Sequence, residues 1–78
     1  MEIKKLTVDM LYDLVRKAQG LEADLRKFDN GNASAGIRAR WGLQNVRMRA
    51  KNIRKEIQRV KKLRRVERQE RLKELFDD

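Results

Sequence analysis

The sequence predicts an all-α fold: an antiparallel helical hairpin with a long second helix, assembling as a coiled-coil-like dimer. Three observations carry this expectation. Leu11, Leu14, Ala18, Leu21, Leu25 and Phe28 recur at alternating spacings of three and four residues, the seam of a helix packed along another helix. Asp29-Asn30-Gly31-Asn32 is the one strong breaker cluster. Beyond it no proline interrupts the chain, and Ala39, Leu43, Val46, Ala50, Ile53, Ile57 and Val60 repeat the same spacing.

The elements follow in order. Thr7 is the expected N-cap of the first helix, with Asp9 placed in its first turn to suit the helix dipole. Met1 to Leu6 add a short turn or fray. The helix runs from about residue 7 to about 28. Gly20 interrupts it at a cost of about 1 kcal/mol relative to alanine, which suggests that another backbone comes close there. The turn falls at residues 29–32, with Gly31 suited to the left-handed conformation and Asn32 or Ser34 capping the next helix. The second helix runs from about 33 to about 76, or roughly 65 Å.

Folding about the turn sets Gly20–Leu21 level with Trp41–Gly42, where the small residues Gly36, Ala39 and Gly42 permit close approach. The first helix runs out near Lys55 to Lys61. Leu63, Val66, Leu72, Leu75 and Phe76 then lack a partner within the chain. Ile37, Trp41 and Met48 lie opposite the seam of the second helix. These eight residues form the expected oligomer interface, in a homodimer or a higher homo-oligomer.

Composition narrows the function classes. Residues 1–78 make one domain at most, too short to build a large core alone. There is no cysteine, histidine or proline, which removes disulfides, thiolate or imidazole metal sites and the usual nucleophile–base pairs. No enzyme, metal site or cofactor is expected. No apolar run approaches the ~18–20 residues of a membrane span, and no signal peptide follows Met1, so a cytoplasmic protein without a membrane partner is expected.

Charge is the informative property. The chain carries a net +9, yet residues 1–32 hold six basic and six acidic side chains. Residues 34–65 hold twelve basic and one acidic, net +11, and residues 66–78 hold three basic and five acidic. The twelve are Arg38, Arg40, Arg47, Arg49, Lys51, Arg54, Lys55, Arg59, Lys61, Lys62, Arg64 and Arg65; the acid is Glu56. Eight of the twelve are arginine, whose planar fork fits phosphate oxygens. So many like charges on one helix repel until a polyanion compensates them. A solvated coiled-coil flank would interleave signs, which this stretch does not.

The expected function is sequence-independent binding of double-stranded DNA by phosphate neutralisation, since no base-reading motif is present. RNA or ribosome binding is the first alternative, because A-form backbones attract the same charges. A coiled-coil scaffold for an acidic protein is the second. Trp41 could stack on a base, but its company with Ile37 and Met48 favours subunit packing.

The run from Phe28 through Asp29-Asn30-Gly31-Asn32-Ala33-Ser34-Ala35-Gly36-Ile37-Arg38-Ala39-Arg40 resembles the start of the second helix of bacterial linker-histone-like nucleoid proteins of the chlamydial type. Leu21-Glu22-Ala23-Asp24-Leu25 and Ala50-Lys51-Asn52-Ile53-Arg54-Lys55-Glu56-Ile57 fit the same pattern, so the resemblance covers roughly residues 11–58. It implies nucleoid-associated DNA compaction, carried by Arg38, Arg40, Arg47, Lys51, Arg54 and Lys55. The lysine- and alanine-rich tail of the chlamydial proteins is absent here; an amphipathic, slightly acidic segment from Val66 to Asp78 stands instead. That departure favours bridging or coating of DNA by a rigid dimer over condensation by a flexible tail.

Overall fold

Apolar residues at helical spacing, without proline, give three helices and, among the described residues, no strand. The structure, a computed structural model, describes residues 6–76, and the side chain of Phe76 lies outside that description. Helix α1 spans Thr7–Gln19, α2 spans Glu22–Asp29 and α3 spans Ala33–Phe76. α1 and α2 together form the bent first arm of a hairpin, and both pack on α3. The rod measures 73 × 16 × 15 Å. Its radius of gyration is 20.2 Å, whereas a compact chain of this length would have about 11.5 Å.

The bend sits at Gly20–Leu21, so the first arm is not the single helix that the spacing predicts. Gly20 (φ −63°, ψ −14°) and Leu21 (φ −85°, ψ −9°) are both shallowly right-handed. The Leu21 amide therefore donates to Ala18 three residues back, at 3.1 Å, as in a tight 3₁₀ turn. The helix resumes when Leu25 N–H donates to Leu21 O at 3.0 Å. Gly20 admits no neighbouring backbone: a Cβ there would meet only carbonyls of its own helix, at 3.4 and 3.6 Å. The close approach is made at two other glycines. A Cβ on Gly42 would collide with Leu21, and one on Gly36 with the Phe28 ring. Leu21 and Phe28 are thus knobs seated in glycine notches of α3, and Leu21 is buried.

The caps follow local chemistry. Leu6, not Thr7, is the N-cap of α1; it makes no side-chain cap bond, and Thr7 is already helical. At the turn, Gly31 takes φ +101°, a conformation that disfavours any side chain. Asn32 Oδ1 accepts a hydrogen bond from the Ala35 amide at 3.1 Å and caps α3. Met1 to Lys5, expected to add a turn or fray, lie outside the described residues.

The buried line of α3 is Ala35, Ala39, Gly42, Val46, Arg49, Ile53, Glu56 and Val60, a strict four–three repeat of buried and half-buried residues. Ala39, Val46, Ile53 and Val60 belong to the predicted seam. Leu43, Ala50 and Ile57 are exposed and lie beside the buried line rather than on it, Ile57 bordering the groove where Leu6 and Thr7 meet α3. Their places are taken by Gly42, Arg49 and Glu56. The glycine notches explain the rotation, because the first arm settles where α3 is thinnest. Among the described residues, buried side chains are few: Leu21, Ala35 and Ala39.

A candidate nucleic-acid interface on the long helix

Helix α3 is straight enough to present its cations as rows. It holds 44 residues, about 66 Å. Ten of the twelve basic residues of the central stretch are exposed: Arg38 and nine others, Arg40, Arg47, Lys51, Arg54, Lys55, Lys61, Lys62, Arg64 and Arg65. Among the described residues, the recorded ion pairs involve none of these nine. Lys51, Arg54, Lys55, Arg59 and Lys62 line one open groove together with Ile57 and Gln58.

The remaining three cations are engaged within the chain. Arg38 reaches across to α2, where its guanidinium meets Asp24 Oδ1 at 3.2 Å. Arg49 lies half-buried on the contact line, and its Nε donates to Asn45 Oδ1 at 2.8 Å. Arg59 Nε donates to both carboxylate oxygens of Glu56 at 3.1 Å. That hydrogen bond raises the Arg59 pKa above its ordinary value, so its charge persists at any working pH. Of these hydrogen bonds, only that of Arg38 crosses to the first arm; those of Arg49 and Arg59 stay within α3, at spacings of four and three residues that one helix brings together.

The eight residues expected at an oligomer interface divide by place. Ile37, Trp41 and Met48 are 58, 73 and 48% exposed on the outer side of α3. Leu63, Val66, Leu72 and Leu75 are exposed on the part of α3 that extends past the first arm. The first arm ends where Leu6 and Thr7 meet a groove shared with Glu56, Val60, Lys61 and Arg64. The reading of the sequence did not anticipate a second exposed apolar set, Leu11 and Val15 on α1 with Leu43 and Ile57 on α3. The spacing of Ala35, Ala39 and Gly42 was the available signal: the smallest residues mark the line of contact and leave the larger ones beside it.

A helical hairpin with one neutral arm and one long cationic arm defines the class: a small, basic, all-helical protein. The family comparison is specific. The model of the histone H1-like protein Hc1 family matches residues 8–63, most of the chain, and the chain belongs to that family. It is a histone-like, DNA-packaging family with no enzymatic activity known for it. The match ends at Leu63, near the point where α3 leaves the first arm. No curated protein and no solved structure matches the chain.

Proposed function

We propose that this chain binds double-stranded DNA without reading its sequence and organises the nucleoid as a non-enzymatic, homodimeric protein. The observation that carries the proposal is the row of nine exposed cations from Arg40 to Arg65, outside the recorded ion pairs, on a chain whose first 32 residues are net neutral. Membership of a histone-like family supports the same reading. Phosphate contacts of this kind fix position along a duplex and carry no base information. Arg38, Arg49 and Arg59 keep further N–H donors beyond the hydrogen bonds they make within the chain, and reach phosphate only with the donors left over. A second copy covers apolar side chains that the hairpin leaves exposed; the candidates are the outer strip of Ile37, Trp41 and Met48, the residues from Leu63 onward, and the set Leu11, Val15, Leu43 and Ile57.

A salt titration of binding to unrelated duplexes tests the proposal. If six to ten phosphates are neutralised, affinity falls by roughly 10³–10⁵ between 50 and 200 mM salt, alike for every sequence. Replacing Arg40, Arg47, Lys51 and Arg54 with glutamine should keep helicity and reduce the slope of log affinity against log salt by up to about 3.6. Unchanged affinity in that variant would remove this surface from consideration. Competition by duplex RNA separates the RNA reading, since a protein tuned to B-form DNA loses little to an A-form competitor. Saturation at a fixed ratio with an acidic protein, and no dependence on duplex length, would favour the scaffold reading.

A further inference from the structure

We infer that the hairpin pairs with a second copy through one flat face, lined by Leu11, Ala18, Leu25, Leu43, Ala50 and Ile57, to form a four-helix bundle. This rests on the homodimer reading above and locates its interface; it does not depend on the identity of the polyanion.

The two faces of the hairpin differ in kind. The Arg38–Asp24 ion pair joins α3 to α2 along one edge of the contact line. Asp13, Arg16, Lys17 and Arg49 line one groove. At ~100° per residue, Arg38 and Arg49 fall on the same side of the α3 contact line, and Asp13 and Asp24 fall on the matching side of the first arm. The opposite side then takes Leu43, Ala50 and Ile57 from α3 and Leu11, Ala18 and Leu25 from the first arm. All six are exposed, and none is charged. With Phe28 set against Gly36 and Leu21 against Gly42, the two rows interleave. Their order along the rod is Leu25, Leu43, Ala18, Ala50, Leu11, Ile57.

The area suits a second copy. The chain exposes 7362 Å², whereas a folded monomer of 9.3 kDa exposes about 5,000 Å². The strip runs about 27 Å from the level of Leu25 to Ile57 along a rod 16 Å across. Pairing two such faces buries roughly 860 Å², the size of a weak, concentration-dependent pair.

Charge chooses both occupant and orientation. The outer strip of Ile37, Trp41 and Met48 is set among Arg38, Arg40, Arg47 and Lys51 on one helix, so a second copy there would oppose like charges. On the two-helix face, each α3 can lie over the partner's net-neutral first arm. The two α3 helices then stand diagonally apart, and their cationic flanks face outward on opposite sides of the bundle.

Sedimentation without DNA tests the pair. The wild-type chain should reach twice 9.3 kDa as concentration rises. The double variant Leu43→Asp/Ile57→Asp should remain monomeric and helical, whereas Ile37→Asp/Trp41→Asp should still dimerise. Because the chain has no cysteine, single thiols map the face without disturbing it. Ala50→Cys should react with a maleimide roughly tenfold more slowly at high than at low protein concentration, and Gln44→Cys, on the far side of α3, at one rate throughout. A wild-type chain that stays monomeric overturns this pairing and the homodimer reading together. A dimer that survives Leu43→Asp/Ile57→Asp, or is lost with Ile37→Asp/Trp41→Asp, overturns this face alone. Should the aspartate variant unfold, equal reactivity of the two thiols at both concentrations is the overturning result.

Discussion

Gly42 carries more of the hairpin's geometry than any large side chain. Leu21 fills the space where its Cβ would be, so substitution pushes the arms apart. We expect Gly42→Leu to cost about 1–3 kcal/mol through overpacking, less ~0.8 kcal/mol recovered by removing a glycine from mid-helix. Thermal melting measures the balance, and adding Leu21→Ala should restore part of the loss because the two positions share one volume. The turn is equally local. Gly31→Ala, at φ +101°, should destabilise by about 1 kcal/mol. Asn32→Ala, losing the cap bond to Ala35, should cost a similar ~1 kcal/mol. Arg38→Ala should cost at most about 1 kcal/mol in the same assay, since the Asp24 pair is partly exposed to solvent.

The elements differ in how they are supported. Among the described residues, α3 meets the first arm as far as about Arg64, and its last turns are exposed throughout. Amide hydrogen exchange should therefore be fast from about residue 66 to 76 and slow around Ala35 to Ile53. Truncation after Arg65 should leave the cooperative melt of the hairpin unchanged. Much of this was legible in the sequence. Missing proline and steady apolar spacing gave α3 its extent, and Asn30-Gly31-Asn32 gave the turn, because backbone chemistry at those residues is local. The bend at Gly20–Leu21 and the rotation of the seam from Leu43, Ala50 and Ile57 onto Gly42, Arg49 and Glu56 were not. Two apolar stripes adjoin on α3, and only the depth of the notches at Gly36 and Gly42 selects between them. The candidate cations were legible as a set. The Asn45–Arg49 and Glu56–Arg59 contacts follow from spacing along one helix, whereas Arg38–Asp24 depends on the register between the arms, which one-dimensional spacing does not carry.

At the scale of the molecule, the slender rod carries its exposed cations along α3 and an uncharged row of six exposed residues on its two-helix face. A pair built on the two-helix face would offer two outward basic flanks, which suits holding two duplexes side by side. Single-molecule or sedimentation assays should then show the Leu43→Asp/Ile57→Asp variant binding one duplex while failing to bridge two. The straightness of α3 also sets a stoichiometry. The basic stretch from Arg38 to Arg65 is about 42 Å long, and a duplex presents one charge per ~1.7 Å, so about 25 phosphates lie within that span. The twelve cations present offset at most about half of them. DNA fully covered by single rods would still be an anion and would still migrate toward the anode, at reduced speed, with a footprint near 12 base pairs.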